Sequence, residues 1–266
     1  MKSINTKAAI CLKDNYDFEY KVAKIEYTEY EDESFSYVFT PDYSVIELLS
    51  ADLFQGIPGL DLSLRKERFV RENIIPVFIS ERAPGKNRED LWQLLEECGM
   101  DYLNQLEWMI RSGYRYSGDL LYVRRYEPTD DKQIISLQDV SSLDSRSVRI
   151  MRCLLEYICS GNDIQTKDFT IDDNSRKQYY SLLMSLYKKE KNYLDERKAA
   201  GIKKSASEGK YKGRKRISID YPKLYEVLSA YSSKKIDESE ALKRLGISKS
   251  TFYRRLKEYN SKHKLP

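Results

Sequence analysis

One long helical stretch constrains the fold of this chain more than any other feature of its sequence. Residues 174–209 read "NSRKQYYSLLMSLYKKEKNYLDERKAAGIKKSASEG" and contain no proline. Since each residue of an α-helix advances the axis by about 1.5 Å, about 35 such residues predict a helix of about 50 Å. Just before it, residues 145–169 predict a shorter amphipathic helix followed by a short strand.

An apolar stripe runs along this predicted long helix. Its residues recur at helical spacing and are Tyr180, Leu183, Met184, Tyr187 and Leu194. One molecule could not easily cover so long a stripe, so we interpret it as a homodimer surface. Burial of the stripe against the front half of the same chain is the alternative.

Three shorter helices are predicted near the end of the chain. The apolar residues there fall into three helix-length groups, within residues 224–231, 241–245 and 247–256. Gly246 separates the second group from the third and can take a left-handed turn that other residues resist. Ser248 follows at a position suited to cap the last helix. This arrangement predicts a helix-turn-helix domain.

The charges of the chain are divided unequally along its length. The whole chain holds 46 Lys+Arg and 42 Asp+Glu, a net charge of +4. Residues 187–266 hold about 23 cations and 10 anions, so they carry about +13 and the remainder about −9. Such segregation indicates that the basic third binds a polyanion, with an ordinary solvated charge run as the alternative.

The last helix is the predicted DNA contact. In a helix-turn-helix domain this helix lies in the major groove. Arg254 is the candidate for a guanine contact, whereas Lys249, Arg255 and Lys257 are candidates for phosphate contacts. The complete set predicted here is Ser248, Lys249, Ser250, Thr251, Tyr253, Arg254, Arg255 and Lys257. An ordinary three-helix protein-binding module is the alternative.

Residues 192–259 resemble the C-terminal part of the serine recombinases, the resolvase and invertase family. The E-R-x-x-x-G-I pattern that ends their dimerisation helix is matched by Glu196, Arg197, Gly201 and Ile202. The A-x-x-x-G-x-x-x-G-R stretch that follows in the family is matched at residues 206–214 by Ala206, Gly209 to Tyr211, Gly213 and Arg214, with one residue fewer after the alanine. The resemblance implies a dimerisation helix and an arm in the minor groove, made here by Arg214, Lys215 and Arg216. It also implies that Ser250 and Arg254 face the bases.

The catalytic motifs of that family are missing from this chain. Its members attack DNA phosphate with a serine near the N-terminus, assisted by several arginines. Here the first arginine is Arg65, and Val140 and Leu143 stand where the D-R-L-S-R motif has arginines. Lys191 replaces the arginine of an E-R pair, and the two side chains are not equivalent on a phosphate. We therefore expect no enzymatic activity and no catalytic residues, with a divergent recombinase as the alternative.

The front of the chain predicts a small antiparallel sheet with helices. Residues 8–39 contain alternating, aromatic-rich stretches, residues 88–99 and 102–113 have helical periodicity, and residues 119–126 predict a strand. Trp92 and Trp108 lie on the apolar stripes of these helices and are expected in the core. The whole chain is therefore expected to be α+β.

Residues from about 60 to 125 resemble the N-terminal, non-catalytic lobe of the HipA-type toxin kinases. The resemblance is carried by "IPGLDLSLRKERFVRENIIPVFISERAPGKNREDLWQLLEECGMD", which begins at Ile57. It implies a partner-binding or regulatory module, so residues 1–130 are a candidate surface for a protein partner.

These observations predict three segments. Residues 1–130 form the front domain, residues 131–212 a resolvase-like remnant with the long helix, and residues 213–266 the arm and the helix-turn-helix domain. The predicted function is that of a homodimeric, sequence-specific double-stranded DNA-binding protein. We expect a transcriptional regulator, a repressor by hypothesis, of a mobile element, phage or defence or toxin-antitoxin locus. An antitoxin-like adaptor that binds a protein through its front domain is a further alternative.

The expectations about cellular compartment and cofactors rest on features that the sequence lacks. The chain does not open with a basic segment and an apolar run, and no apolar stretch approaches the roughly 20 residues of a membrane span. We therefore expect a cytoplasmic protein with no membrane partner. The four cysteines lack C-x-x-C spacing and the one histidine is His263, so we expect no metal site and no cofactor.

Overall fold

The computed structural model describes residues 4–208 and 219–262. The chain divides into two compact units, Met1–Lys198 and Ala199–Pro266. Strands and helices both contribute to the first unit, so the predicted α+β class is confirmed. Within the described residues, no helix has both the length and the apolar character needed to span a membrane.

A five-stranded antiparallel sheet forms the centre of the first unit. Its strand order is β4-β3-β2-β1-β5. The strands are β1 (Ile4–Lys13), β2 (Glu19–Glu29), β3 (Phe35–Pro41), β4 (Phe69–Glu72) and β5 (Tyr122–Arg125). The antiparallel sheet predicted from residues 8–39 is therefore confirmed. The strand predicted within residues 119–126 is observed as β5 at one edge, and the structure adds β4 at the other.

Alternation of side chains along the strands creates one apolar face of this sheet. Ile10, Val22 and Phe39 each lie on that face and are fully buried. A bulge between Ile10 and Cys11 shifts the register between β1 and β2. Helices and loops cover this face, because successive residues of a strand point to opposite sides and the apolar set needs a partner layer.

Six α-helices and a second, small sheet complete the first unit within the described residues, and the last of these helices continues past Lys198. The helices are α1 (Tyr43–Ile46), α2 (Val77–Ser80), α3 (Leu91–Glu97), α4 (Gln105–Ser112), α5 (Ser147–Cys159) and α6 (Arg176–Ser207). The small sheet contains β6 (Ile134–Ser136), β7 (Asp163–Gln165) and β8 (Thr170–Ile171), with β7 in the middle. The predicted order of amphipathic helix, short strand and long helix is thus observed in α5, β7 and α6.

The apolar stripe of α6 packs against the sheet of its own chain. Met184 and Tyr187 are only 6% and 3% exposed. The ring of Tyr187 contacts that of Phe18 edge-on, with centroids 5.2 Å apart. The hydroxyl oxygens of Tyr180 and Tyr20 lie 2.7 Å apart.

The prediction that this stripe is a homodimer surface is therefore wrong for Tyr180, Leu183, Met184 and Tyr187, which all pack on the core. The physical reason is the β1–β2 hairpin, which brings Tyr16, Phe18 and Tyr20 to the helix and covers the stripe within one chain. Leu194 is half-buried.

The two tryptophans have different environments. Trp108 is 7% exposed and lies in the core as predicted, whereas Trp92 is 71% exposed, so that prediction is wrong. Helix α3 packs through Leu91 and Leu95. Each residue turns the helix by about 100°, so Trp92 lies to the side of the packed face.

Residues beyond 130 share the core of the front sheet. Leu155 and Cys159 of α5 and Met184 of α6 belong to the same buried cluster as Ile10 and Phe39. The predicted boundary between residues 130 and 131 therefore does not separate two cores in this structure.

After the end of α6, the described residues of the second unit form three helices around a small core. They are α7 (Tyr221–Ser232), α8 (Glu238–Leu245) and α9 (Lys249–Lys262). Val227, Leu228, Ala241, Ile247 and Phe252 are its buried residues. The ring of Tyr231 on α7 contacts Phe252 on α9 edge-on at 5.1 Å. Each predicted helix thus supplies residues to a shared centre.

Candidate nucleic-acid interface

A glycine turn joins α8 to α9. Gly246 has φ 62° and ψ 34°, the left-handed conformation predicted from the sequence. Its N–H donates to the carbonyl oxygen of Leu242 at 2.9 Å and so ends α8. A residue with a Cβ is strained in this conformation, so glycine is favoured here.

Local hydrogen bonds define the start of both helices beside this turn. The carboxylate of Asp237 accepts a hydrogen bond from the backbone N–H of Glu240 at 2.8 Å, which caps α8. The carbonyl oxygen of Ser248 accepts the backbone N–H of Phe252 at 3.0 Å, so α9 begins directly after Ser248, as predicted. The hydroxyl of Ser248 lies 3.1 Å from that of Thr251.

The buried face of α9 determines which of its side chains face solvent. Phe252 is fully buried and Leu256 is half-buried against the other two helices. A residue two positions after Phe252 points about 200° away from it around the helix axis, toward solvent. Arg254 occupies that position. The exposed side chains of α9 include Lys249, Ser250, Tyr253, Arg254 and Lys257.

Two cations on this exposed face have no protein partner among the described residues. Neither Arg254 nor Lys257 forms a hydrogen bond or an ion pair with residues 4–208 or 219–262. Both side chains are thus available to an external anion. A guanidinium offers five N–H donors in a planar fork, whereas an ammonium acts as a compact charge.

A carboxylate from α8 engages the third cation of this face. Glu238 accepts a charge-assisted hydrogen bond from Lys249 at 2.8 Å and another from the Tyr253 hydroxyl at 2.7 Å. The Lys249 ammonium, followed by Tyr253, lowers the pKa of Glu238, and the carboxylate raises the pKa of Lys249. The sequence patterns did not predict this contact, because it depends on how α8 and α9 lie against each other.

Arg255 does not share the exposed face of its neighbour. Its side chain is 12% exposed and forms an ion pair with Glu258 at 3.1 Å. It lines a shallow depression together with Leu224 and Leu228 of α7. The prediction that Arg255 contacts phosphate together with the lysines of α9 is therefore corrected. One residue step along the helix turns Arg255 by about 100° from Arg254, toward α7.

The predicted arm lies outside the described residues. Arg214, Lys215 and Arg216 fall within residues 209–218, so their assignment to the minor groove stays a prediction. His263 also falls outside the described part of the chain.

Residues 4–208 and 219–262 contain no cluster of three His, Cys, Asp or Glu side chains that could hold a metal ion. Burial raises the pKa of the Cys11 and Cys159 thiols, so neither is prone to form the nucleophilic thiolate.

No protein family model matches this chain, and the search of curated proteins gave no significant match. The likenesses to serine recombinases and to HipA-type kinases therefore rest on the quoted motifs alone.

Proposed function

We propose that this chain is a sequence-specific double-stranded DNA-binding protein that acts as a homodimeric transcriptional regulator. The observation that carries the proposal is the exposed face of α9, where Arg254 and Lys257 lack partners among the described residues. This face lies directly after a left-handed glycine turn that joins α9 to α8.

The arrangement of the three helices supports a contact in the major groove. In helix-turn-helix proteins the second helix of the motif enters the groove while its apolar side packs on the preceding helices. Helix α9 has the two faces that such a contact requires, because Phe252 is buried and Arg254 is exposed. An arginine in this position can donate two hydrogen bonds to guanine, whereas Lys257 suits a phosphate.

The distribution of charge supports DNA over an uncharged partner. Residues 187–266 carry about +13, and the rest of the chain carries about −9. Neutralised phosphates release condensed counterions, so a basic segment of this kind favours binding to duplex DNA. The acidic remainder does not favour it, and DNA affinity is therefore expected to come from the C-terminal part.

The biological setting is proposed from the recombinase-like motifs of residues 192–259. A regulator that retains the DNA-binding part of such a family and lacks its catalytic serine and arginines suits control of a mobile element, phage or defence locus. Repression is the simplest mode, since it requires only occupancy of the site.

Selection of duplex DNA from a random pool tests the proposal. We expect the full chain to enrich a defined sequence, with two inverted half-sites about one helical turn apart if a dimer binds. The selected duplex and a scrambled duplex of equal composition are then compared in binding curves. A pool without enrichment, together with equal affinity for both duplexes, would contradict sequence-specific binding.

A further inference from the structure

Strand β4 forms one edge of the five-stranded sheet. It pairs with β3 on one side, and it is the end strand of the sheet order. The backbone N–H of Asn73 donates to the carbonyl oxygen of Phe35 at 2.8 Å. Because the bonding direction alternates along an antiparallel pair, Arg71 faces β3 while the backbone groups of Val70 and Glu72 point outward. On this outward side, the carbonyl oxygen of Val70 accepts one hydrogen bond from the Arg71 guanidinium at 3.0 Å and keeps a second lone pair. The N–H of Val70 and the backbone groups of Glu72 have no partner among the described residues, so the edge still offers donors and acceptors to another strand.

Exposed apolar side chains lie in β4 and in the segments that precede and follow it in the sequence. Residues 64–77 contain five of them: Leu64 at 55%, Val70 at 47%, Ile74 at 61%, Ile75 at 37% and Val77 at 46% exposure. Natural sheets commonly protect their edges, because an unpaired strand with apolar neighbours is a template for pairing. Burial of these side chains would add apolar contact area to the backbone bonds of a paired edge.

The charges across β4 are complementary to those of a second β4. Val70 and Glu72 lie two residues apart and so share one face of β4. Arg68 directly precedes the strand, so the pairing must continue one residue beyond it to include Arg68. In an antiparallel pair centred on Val70, Arg68 lies opposite the partner's Glu72, and Glu72 lies opposite the partner's Arg68. Both charged side chains are exposed, and neither forms an ion pair with the described residues. Opposite charges directly across two strands stabilise their pairing.

The other edge of the sheet lacks this complementarity. Strand β5 carries Arg124 and Arg125 and no carboxylate. Arg124 is already paired with Glu19 and Asp130 of its own chain. An antiparallel pair of β5 strands would therefore bring arginines of the two copies near each other, which is unfavourable.

We propose that two copies of this chain associate through β4, in antiparallel register centred on Val70, to form one continuous sheet. The occupant of the edge is thus a second copy. The buried stripe of α6 does not serve this purpose, since Met184 and Tyr187 contact their own sheet. This association does not depend on DNA, so its test contains none.

Charge reversal tests the proposed register. In sedimentation equilibrium without DNA, Arg68→Glu alone and Glu72→Arg alone each place like charges opposite each other at two symmetric points. Each variant should weaken the dimer by about tenfold or more. The double variant Arg68→Glu/Glu72→Arg restores opposite charges and should return the dissociation constant to within about threefold of the wild-type value.

Two further variants separate this edge from other surfaces. Val70→Lys places two ammonium groups opposite each other at the centre of the pair and should give monomers. Leu186→Lys adds the same charge to an exposed position of α6, where Leu186 is 45% exposed, and should leave the dimer intact. Matching far-ultraviolet circular dichroism and thermal melting show that each variant is folded.

Three results would overturn the proposal. The first is a wild-type chain that stays monomeric at tens of micromolar concentration. The second is a double variant no tighter than its single parents, since the two charges then do not face each other. The third is a dimer that Leu186→Lys dissociates and Val70→Lys does not, because the surface would then lie on α6.

Discussion

Two adjacent arginines of α9 have opposite surroundings. Arg254 is exposed and has no partner among the described residues, whereas Arg255 is 12% exposed and paired with Glu258. A single step along the helix therefore separates a side chain available to an external anion from one held against α7. The two residues provide a matched comparison of base contact and structural support.

We expect Arg254→Ala to lower affinity for the selected duplex by about 1–3 kcal/mol and affinity for scrambled DNA much less. The reason is that a guanidinium on the groove side can donate two hydrogen bonds to one guanine. Binding curves on both duplexes measure the difference. Arg255→Ala should instead lower the melting temperature of the C-terminal unit. Equal losses of affinity on both duplexes after Arg254→Ala would show that Arg254 contacts phosphate only.

The carboxylate of Glu238 should reduce DNA affinity. It engages Lys249 and Tyr253, and its lowered pKa keeps it ionised well below neutral pH. Glu238→Gln removes one negative charge from the exposed face and releases Lys249, so we expect affinity to rise about two- to fivefold. Glu226→Gln on α7 loses the same charge at another exposed position and serves as the control. An unchanged affinity in Glu238→Gln, or an equal rise in both variants, would contradict a local effect of this contact.

At the scale of single residues, the sequence predicts correctly those features that depend on residues nearby in the chain. The left-handed Gly246 and the helix start after Ser248 depend on neighbouring residues and are observed as predicted. The inward side of Arg255 and the contact of Glu238 with Lys249 depend on helix packing, which periodicity alone does not specify.

The long helix shows the same limit at the scale of an element. Its length and its apolar face follow from the spacing of apolar residues, and α6 spans Arg176–Ser207. The residues that cover that face cannot be predicted in the same way. Apolar periodicity shows that a helix face is buried, but it does not show which part of the molecule packs against it. Here the partner is the hairpin that carries Phe18 and Tyr20. Trp92 illustrates a related error, since α3 is short and its packed face passes beside that residue.

A buried arginine fixes the start of α6. Arg176 is fully buried and pairs with Asp163 at 2.7 Å and Asp173 at 2.9 Å. It also donates to the carbonyl oxygen of Gly161 at 3.2 Å. This cluster ties the long helix to β7 and to the loop that precedes it.

Removal of Arg176 should destabilise the first unit strongly. Arg176→Ala leaves buried acceptors without donors, so we expect a loss of about 3–5 kcal/mol in the free energy of unfolding. Lys132 contacts the same two carboxylates but is 43% exposed, so Lys132→Ala should cost about 1 kcal/mol or less. Denaturant titration followed by tryptophan fluorescence measures this unit, since Trp92 and Trp108 both belong to it. Equal losses in the two variants would contradict the special role of Arg176.

At the scale of the whole molecule, the boundary between the two compact units and the start of the basic segment fall at different residues. Contacts divide the chain after Lys198, and the basic character begins about ten residues earlier, near Tyr187. The last turns of α6 within the first unit therefore already carry positive charge, including Lys188, Lys189 and Lys191. A long-range attraction to a polyanion is expected over this whole basic third, and it should weaken with salt because counterions screen it.

The salt dependence of binding by the full chain tests the central claim, that the basic third binds duplex DNA, most directly. Affinity for the selected duplex is measured between about 50 and 200 mM monovalent salt, since each neutralised phosphate contributes about −0.9 to the slope of log K against log salt. Four to eight phosphates predict a slope of about −4 to −7. We expect a slope in that range for the wild type. In the Lys257→Ala variant, the slope should be less negative by about one for each copy of the chain that contacts the DNA. A nearly flat plot for the wild type would contradict the account.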